Sequence, residues 1–274
     1  MIPLSPAQKP FDDDPRSRLF VALDVPSRQE AENLLSRLGG SVRRVKVGLE
    51  LFFAEGPRFV EVLAERGYEV FLDLKLHDIP HTVYRAARLL PAGAVLFLTV
   101  HASGGREMVR AAYEGIREAR VRGEKHQASP KDVLAVQNSP SYAPPYLLGV
   151  TWLTSLGEAE FARFGIDRRQ SVGILAEEAL LGGAAGLVVS AWEVTSLRAA
   201  LGPGPIFVVP GIRPAFSRGE DDQRRVSSPG EAIRSGADAV VVGRPIVWAP
   251  DPRRAAEAIL EEIAAALFDL PPRR

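Results

Sequence analysis

LFVALDVPSRQEAENLLSRLGG, residues 19–40, is the stretch on which the fold turns. Its first five residues are apolar without alternation, which is how a strand covered on both faces of a parallel sheet reads. Ser27 and Glu30 then stand at the spacing of a capping box, and Ala31, Leu34, Leu35 and Leu38 recur at helical intervals until Gly39 stops the helix. Strand followed by amphipathic helix makes one βα unit. The strand runs out as ALDVPS (22–27), without the G-x-G-x-x-G that would open a dinucleotide-binding, doubly wound sheet.

The unit repeats along the 274 residues. Short apolar runs at 19–23, 45–48, 70–74, 95–100, 147–152, 186–190, 206–209 and 239–242 predict eight strands. Between them, Pro57 opens a helix with Phe59, Val60 and Leu63 on one face and Gly67 after it. Ser228, Pro229 and Glu231 open another that closes near Gly236, and Asp251-Pro252 begins a last one carrying Ile259, Leu260 and Ile263. Eight βα units in about 250 residues predict closure into a single-domain α/β fold, the (β/α)8 or TIM barrel, with an open doubly wound sheet as the alternative. On this reading residues 1–16 are a loose tail, 17–265 the barrel and 266–274 a short second tail. The polar, Pro-rich residues 120–146 form a long connection within the domain.

Composition narrows the chemistry. Thirty-four basic residues balance 34 acidic ones, which gives no electrostatic footprint for nucleic acid or an anionic membrane. With no cysteine there are no disulfides, thiolate metal sites or thiol nucleophiles, and the histidines at 77, 81, 101 and 126 form no HExxH-type pair. The N-terminal residues hold no apolar core of signal-peptide length and no stretch reaches a membrane span, so the expected location is the cytoplasm. Of the basic residues only five are lysine, at 9, 46, 75, 125 and 131. Lys46 and Lys75 sit at the ends of apolar runs, where a compact, titratable cation has a use that arginine cannot serve.

In a barrel, side chains at the C-terminal ends of the strands converge on one mouth. Here those ends carry Asp24, Lys46, Asp73 and Lys75, with Asp78 just beyond, and period-two alternation puts Asp73 and Lys75 on one face. Alone, Asp24 reads equally as a cap or turn residue, and Lys46 or Asp73 as half of a buried ion pair. Together they are costly to desolvate and apolar replacements would serve stability as well, so function is the simpler explanation. After the last two strand candidates come PGIRP (210–214), DQRR (222–225) and VVVGRP (240–245). Arg213 and Arg244 offer forked donors and Gly243 permits close approach, the elements of a phosphate site for a small phosphate ester. His101 and the three tryptophans, 152, 192 and 248, read as structural and packing residues.

These motifs resemble those of the orotidine 5′-phosphate decarboxylase family. The resemblance spans about residues 18–262 and is carried by ALD (22–24), KVG (46–48), FLDLKLHDIPHTV (71–83), VHASGG (100–105), LTS (153–155), PGIRP with DQRR, and VVGRP. The D-x-K-x-x-D run is the specific element; LTS or VVGRP alone is weak. The resemblance implies decarboxylation of orotidine 5′-monophosphate to uridine 5′-monophosphate with no metal, flavin or other cofactor. It implies catalysis by Lys46, Asp73, Lys75 and Asp78, with Lys75 as the acid. It further implies a homodimer in which Asp78 and Thr82 reach the neighbouring subunit's site, a ribose contact at Asp24, ring contacts at Thr154 and Ser155, and a phosphate grip of Arg213, Gln223, Gly243 and Arg244.

Two residues depart from the family pattern: His81 stands where Asn is common, and Trp152 where a small aliphatic residue is usual. Barrels resembling 3-keto-L-gulonate-6-phosphate decarboxylase share D-x-K-x-x-D but hold magnesium with a carboxylate at strand two, the place of Lys46 here, and a cation beside a metal is unfavourable. A nucleotide sensor that has lost activity would show damage in the charged set, and all four members are present.

Overall fold

The computed structural model describes residues 9–91, 93–127, 145–214 and 227–270. Eight parallel strands close on themselves in sequence order: β1 (Leu19–Ala22), β2 (Arg44–Val47), β3 (Glu69–Leu76), β4 (Val95–His101), β5 (Tyr146–Val150), β6 (Gly186–Val188), β7 (Ile206–Val209) and β8 (Ala239–Val242). β1 pairs with both β2 and β8, which closes the ring. All eight predicted strands are present, most within one or two residues of the expected bounds.

Around the ring lie α1 (Arg28–Leu38), α2 (Leu49–Glu55), α3 (Pro57–Glu65), α4 (Pro80–Ala87), α5 (Gly105–Gln127), α6 (Glu158–Arg163), α7 (Arg168–Gly182), α8 (Ala191–Leu201), α9 (Pro229–Arg234), α10 (Arg244–Val247) and α11 (Pro252–Phe268). α1 begins where its cap predicts: the Ser27 side chain accepts from the Glu30 N–H, and Gly39 ends the helix in the left-handed region at φ 57°. Its Ala31, Leu34, Leu35 and Leu38 are buried against the sheet. The Ser228–Glu231 box of α9 is complete in both directions.

Strand periodicity divides the core in two. Outward-facing residues such as Val21, Val45, Leu72 and Leu98 join the helices in one large cluster, while Phe20, Phe71, Phe97, Leu148, Val150, Val188, Ile206, Val208 and Val241 fill the barrel. Phe20, Phe71 and Phe97 meet with ring centroids 5.4–5.6 Å apart. Each such pair adds about 1 kcal/mol beyond the area it buries.

Three boundary expectations need correction. From Lys9 onward the N-terminal stretch is packed on the floor of the barrel rather than loose. The Lys9 ammonium, nearly buried, binds Asp238 and the Pro205 carbonyl, and the Phe11 ring lies 6.2 Å from Phe97. Arg44, buried inside the floor, donates to Glu69 and to the carbonyls of Pro10 and Ser17, so the segment supplies the acceptors that a buried guanidinium requires. The connection expected at 120–146 begins in α5, which runs on to Gln127, and its residues 128–144 lie outside the described set. At the other end α11 continues through Phe268 with Ala266 buried, because the apolar spacing of Ile259 and Ile263 extends to it. Trp192 and Trp248 are largely exposed on the outer surface rather than packed, whereas Trp152 packs edge-on against Phe161.

Candidate active site

The inward-facing register of the strands carries past the aromatic layer to the mouth. Lys46 follows Arg44 on β2, Asp73 and Lys75 follow Phe71 on β3, and Thr99 and His101 follow Phe97 on β4, all in steps of two. The β3–β4 ladder is irregular at this point: Leu72 pairs with Leu98 and Leu76 with Val100, so four steps of β3 span two of β4. The surplus chain bows out at residues 73–75, and Lys75 takes a left-handed φ of 50°, among the described residues the only non-glycine to do so. Such a conformation costs on the order of 1 kcal/mol and is tolerated where the surroundings fix it.

The bulge aims its side chains into the mouth. Lys75 Nζ lies 2.8 Å from Asp73 Oδ2, and Lys46 Nζ lies 3.6 Å from the same oxygen and 3.0 Å from Asp24 Oδ1. Four charges of alternating sign thus run from β1 to β3. The Asp73 carboxylate is nearly buried, which pushes its pKa up, but the Lys46 and Lys75 ammoniums and the hydrogen bonds from Lys75 and Thr99 outweigh burial and hold it below the usual carboxylate range. Gly48 keeps room for the first pair, since a Cβ there would stand 3.1 Å from Lys46 Nζ and 3.3 Å from Asp24 Oδ1.

Lys46, Asp73 and Lys75 line one cavity together with Thr154, Trp152, Leu153, Val189 and Pro210, over an apolar floor of Phe71, Val150, Val188 and Val241. Of the other expected site residues, Asp24 joins through Lys46, and Gly243 is close enough to Asp24 that a Cβ would lie 3.5 Å from its Oδ2. Ser155 is exposed beside Thr154. Arg213 is buried after β7 with its guanidinium on the Ile212 carbonyl, and Arg244 opens α10 with its guanidinium 5.8 Å from the Trp248 ring. Neither lines the cavity, and Gln223 lies outside the described residues. Asp78 and Thr82 are exposed on the rim at the start of α4, with Asp78 Oδ1 accepting from the Ile79 N–H. They do not reach the cavity of their own chain.

Sequence reasoning passed over Thr99 and gave Trp152 only a packing role. Thr99 was detectable as the one hydroxyl in the apolar run VLFLTV, on the inward register of β4. Trp152 lines the cavity while its indole N–H donates to Ser171. His101, half-buried with its ring 5.3 Å from that of His77, has its pKa lowered by burial first and by the His77 and Lys75 charges next.

A closed (β/α)8 barrel whose mouth holds this lysine–aspartate array defines the class, a barrel enzyme. The model of the "Orotidine 5'-phosphate decarboxylase / HUMPS family" matches residues 17–259, and the chain belongs to that family. It is 46% identical over 247 residues to an orotidine 5′-phosphate decarboxylase of Anaeromyxobacter dehalogenans, covering 89% of this chain and 97% of that one. An orotidine 5′-phosphate decarboxylase of Syntrophotalea carbinolica is 44% identical, covering 92% and 97%. The crystal structure of orotidine 5′-phosphate decarboxylase from Lactobacillus acidophilus superposes with a TM-score of 0.73 at 36% identity, covering 90% of this chain and 98% of that one.

Proposed function

We propose that the chain decarboxylates orotidine 5′-monophosphate to uridine 5′-monophosphate and CO2, a carboxy-lyase step of pyrimidine biosynthesis, within a single catalytic barrel that takes in the packed segment from Lys9 and α11 through Phe268. The observation that carries this reading is the Asp24–Lys46–Asp73–Lys75 array at the mouth of a family barrel. Lys46, pairing with Asp24 and Asp73, fills the strand-two position where a magnesium-dependent sugar-phosphate enzyme would want a carboxylate.

The chemistry follows from where charge develops. The bond from C6 to the carboxylate breaks, its electron pair stays on C6 in the ring plane beyond reach of π delocalisation, and neutral CO2 leaves. The Lys75 ammonium stabilises that pair as it forms and then gives C6 a proton, which solvent later returns to the amine. Asp73 repels the departing carboxylate and loses that repulsion as charge moves toward Lys75, while Lys46 keeps Asp73 ionised and Asp24 takes the ribose. The apolar floor excludes water, so fixed charges act at low dielectric. Thr154 and Ser155 meet the pyrimidine, and Arg213, Gln223, Gly243 and Arg244 grip the phosphate, whose binding energy serves transition-state stabilisation.

The array is completed by a second subunit. Asp78 and Thr82 are exposed outside the lining of their own cavity, on a rim that also exposes Ile79, which supports a homodimer exchanging these two residues. No helix among the described residues is long and apolar enough to cross a membrane. The test is product analysis after chelator-treated protein meets orotidine 5′-monophosphate. Equimolar uridine 5′-monophosphate and CO2 are expected; intact substrate, with turnover of sugar phosphates on adding magnesium, would overturn the reading.

A further inference from the structure

Thr99 is wholly buried in β4, and its single hydroxyl is engaged twice: Oγ1 accepts from the Lys75 backbone N–H at 2.9 Å and lies 3.0 Å from Asp73 Oδ1. A hydroxyl has one proton to give. Because the amide must donate, the hydroxyl proton has to point at Asp73, and the direction of both bonds is fixed. Asp73 Oδ1 is thereby held by Thr99 and Oδ2 by Lys75, so the carboxylate plane is pinned at both oxygens.

The same hydroxyl replaces a missing piece of the sheet. Where the surplus residues of β3 bow out, the Lys75 N–H leaves the regular β3–β4 ladder, and it is Thr99, on the strand alongside, that receives it. Lys75 sits at φ 50° at this point, a conformation that an unsatisfied amide would have no reason to keep. One side chain therefore ties the backbone that aims the proposed acid to the carboxylate beside it.

We infer that Thr99 is a positioning residue for the decarboxylation, one that clamps the Lys75 backbone and the Asp73 carboxylate in a single geometry without touching substrate. The inference rests on the decarboxylase reading above. A purely structural hydroxyl would be replaceable at a cost in stability alone; a clamp on the acid and its partner sets turnover, since sub-ångström errors at a reacting centre are amplified in rate.

The charged and titratable groups facing Asp73 are Lys75 on its own strand, Lys46 from β2 with Asp24 behind it, and His101 from β4. Thr99 adds the one neutral donor to that set. Its loss moves Asp73 toward the protonated form, so the acidic limb of the kcat profile moves to higher pH.

The experiment compares Thr99→Val, which keeps bulk and branching, with Thr99→Ser, which keeps the hydroxyl, and with Thr99→Ala as a second hydroxyl-free variant should Val not fold. Steady-state kinetics across pH, uridine 5′-monophosphate affinity by calorimetry and the melting temperature are measured for each. The expected result is kcat lower by roughly 10- to 100-fold in Val or Ala, nucleotide affinity within about threefold, an acidic limb displaced upward, and Ser within about threefold of wild type. Wild-type kcat and pH profile in a folded Val or Ala variant, or a Ser variant as impaired as Val, would overturn the assignment. A wild type that leaves orotidine 5′-monophosphate intact would instead overturn the decarboxylase reading itself.

Discussion

A single carboxylate shows how the site stays charged. Asp73 is buried, yet two ammoniums keep its folded-state pKa below the unfolded value, so it contributes stability at every pH above the usual carboxylate range. That contribution is lost as pH falls through the usual range toward the lowered folded value. Asp73→Asn leaves the Lys75 ammonium without its carboxylate and Lys46 with Asp24 alone, and is expected to cost about 3 kcal/mol at neutral pH. The gap to wild type should narrow as pH falls below the usual carboxylate range, where the native carboxyl protonates as well. Urea unfolding of both proteins at several pH values checks this; a gap independent of pH would contradict it. At this scale the lysines and aspartates were legible because period two and the oddity of lysine in an arginine-rich chain both single them out. The Thr99 bonds were not, because they depend on a ladder irregularity that no local pattern encodes.

Elements were legible wherever punctuation and periodicity agreed. Ser27, Gly39, Pro57 and the Ser228–Glu231 box mark helix ends that the structure keeps. The end of α11 was misread because its apolar spacing outlasts the last residue weighed. The turn from β2 into α2 gives the element-scale test. Gly48 has an ordinary φ of −93°, so alanine is tolerated by the backbone, and the added Cβ acts only by crowding Lys46 and Asp24. Gly48→Ala should therefore lower kcat/KM by about tenfold, through a shift of a few tenths of an ångström, with little change in melting temperature. Unchanged kcat/KM would mean that the pair's spacing does not matter.

The whole molecule separates stability from catalysis along the barrel axis. At the floor, the fully buried Asp238 accepts from Lys9, Arg198 and the Phe207 N–H, tying the N-terminal segment to α8, β7 and β8. Asp238→Ala strands two cations and should cost about 3–5 kcal/mol in chemical denaturation while leaving KM unaltered; a large rise in KM would contradict this division. The floor was missed in sequence because its ligands are some 200 residues apart and the tail carries no periodic pattern. Across the proposed dimer, Lys75→Ala and Asp78→Ala are each expected to be inactive alone. Mixed by unfolding and refolding, they should recover about a quarter of wild-type activity, because half the dimers carry one intact site. A mixture no more active than its parents would show that Asp78 does not serve the partner.

The central claim is that the Lys75 ammonium stabilises and protonates C6, and Lys75→Ala tests it most directly. The variant should fold, since Asp73 keeps Lys46 and Thr99 as partners. Followed by loss of orotate absorbance in chelator-treated protein, with uridine 5′-monophosphate binding measured alongside, it should bind nucleotide and show no detectable turnover where wild type reacts rapidly. Turnover within about tenfold of wild type would contradict the claim, because one proton donor at a reacting carbon is worth at least ~10²-fold.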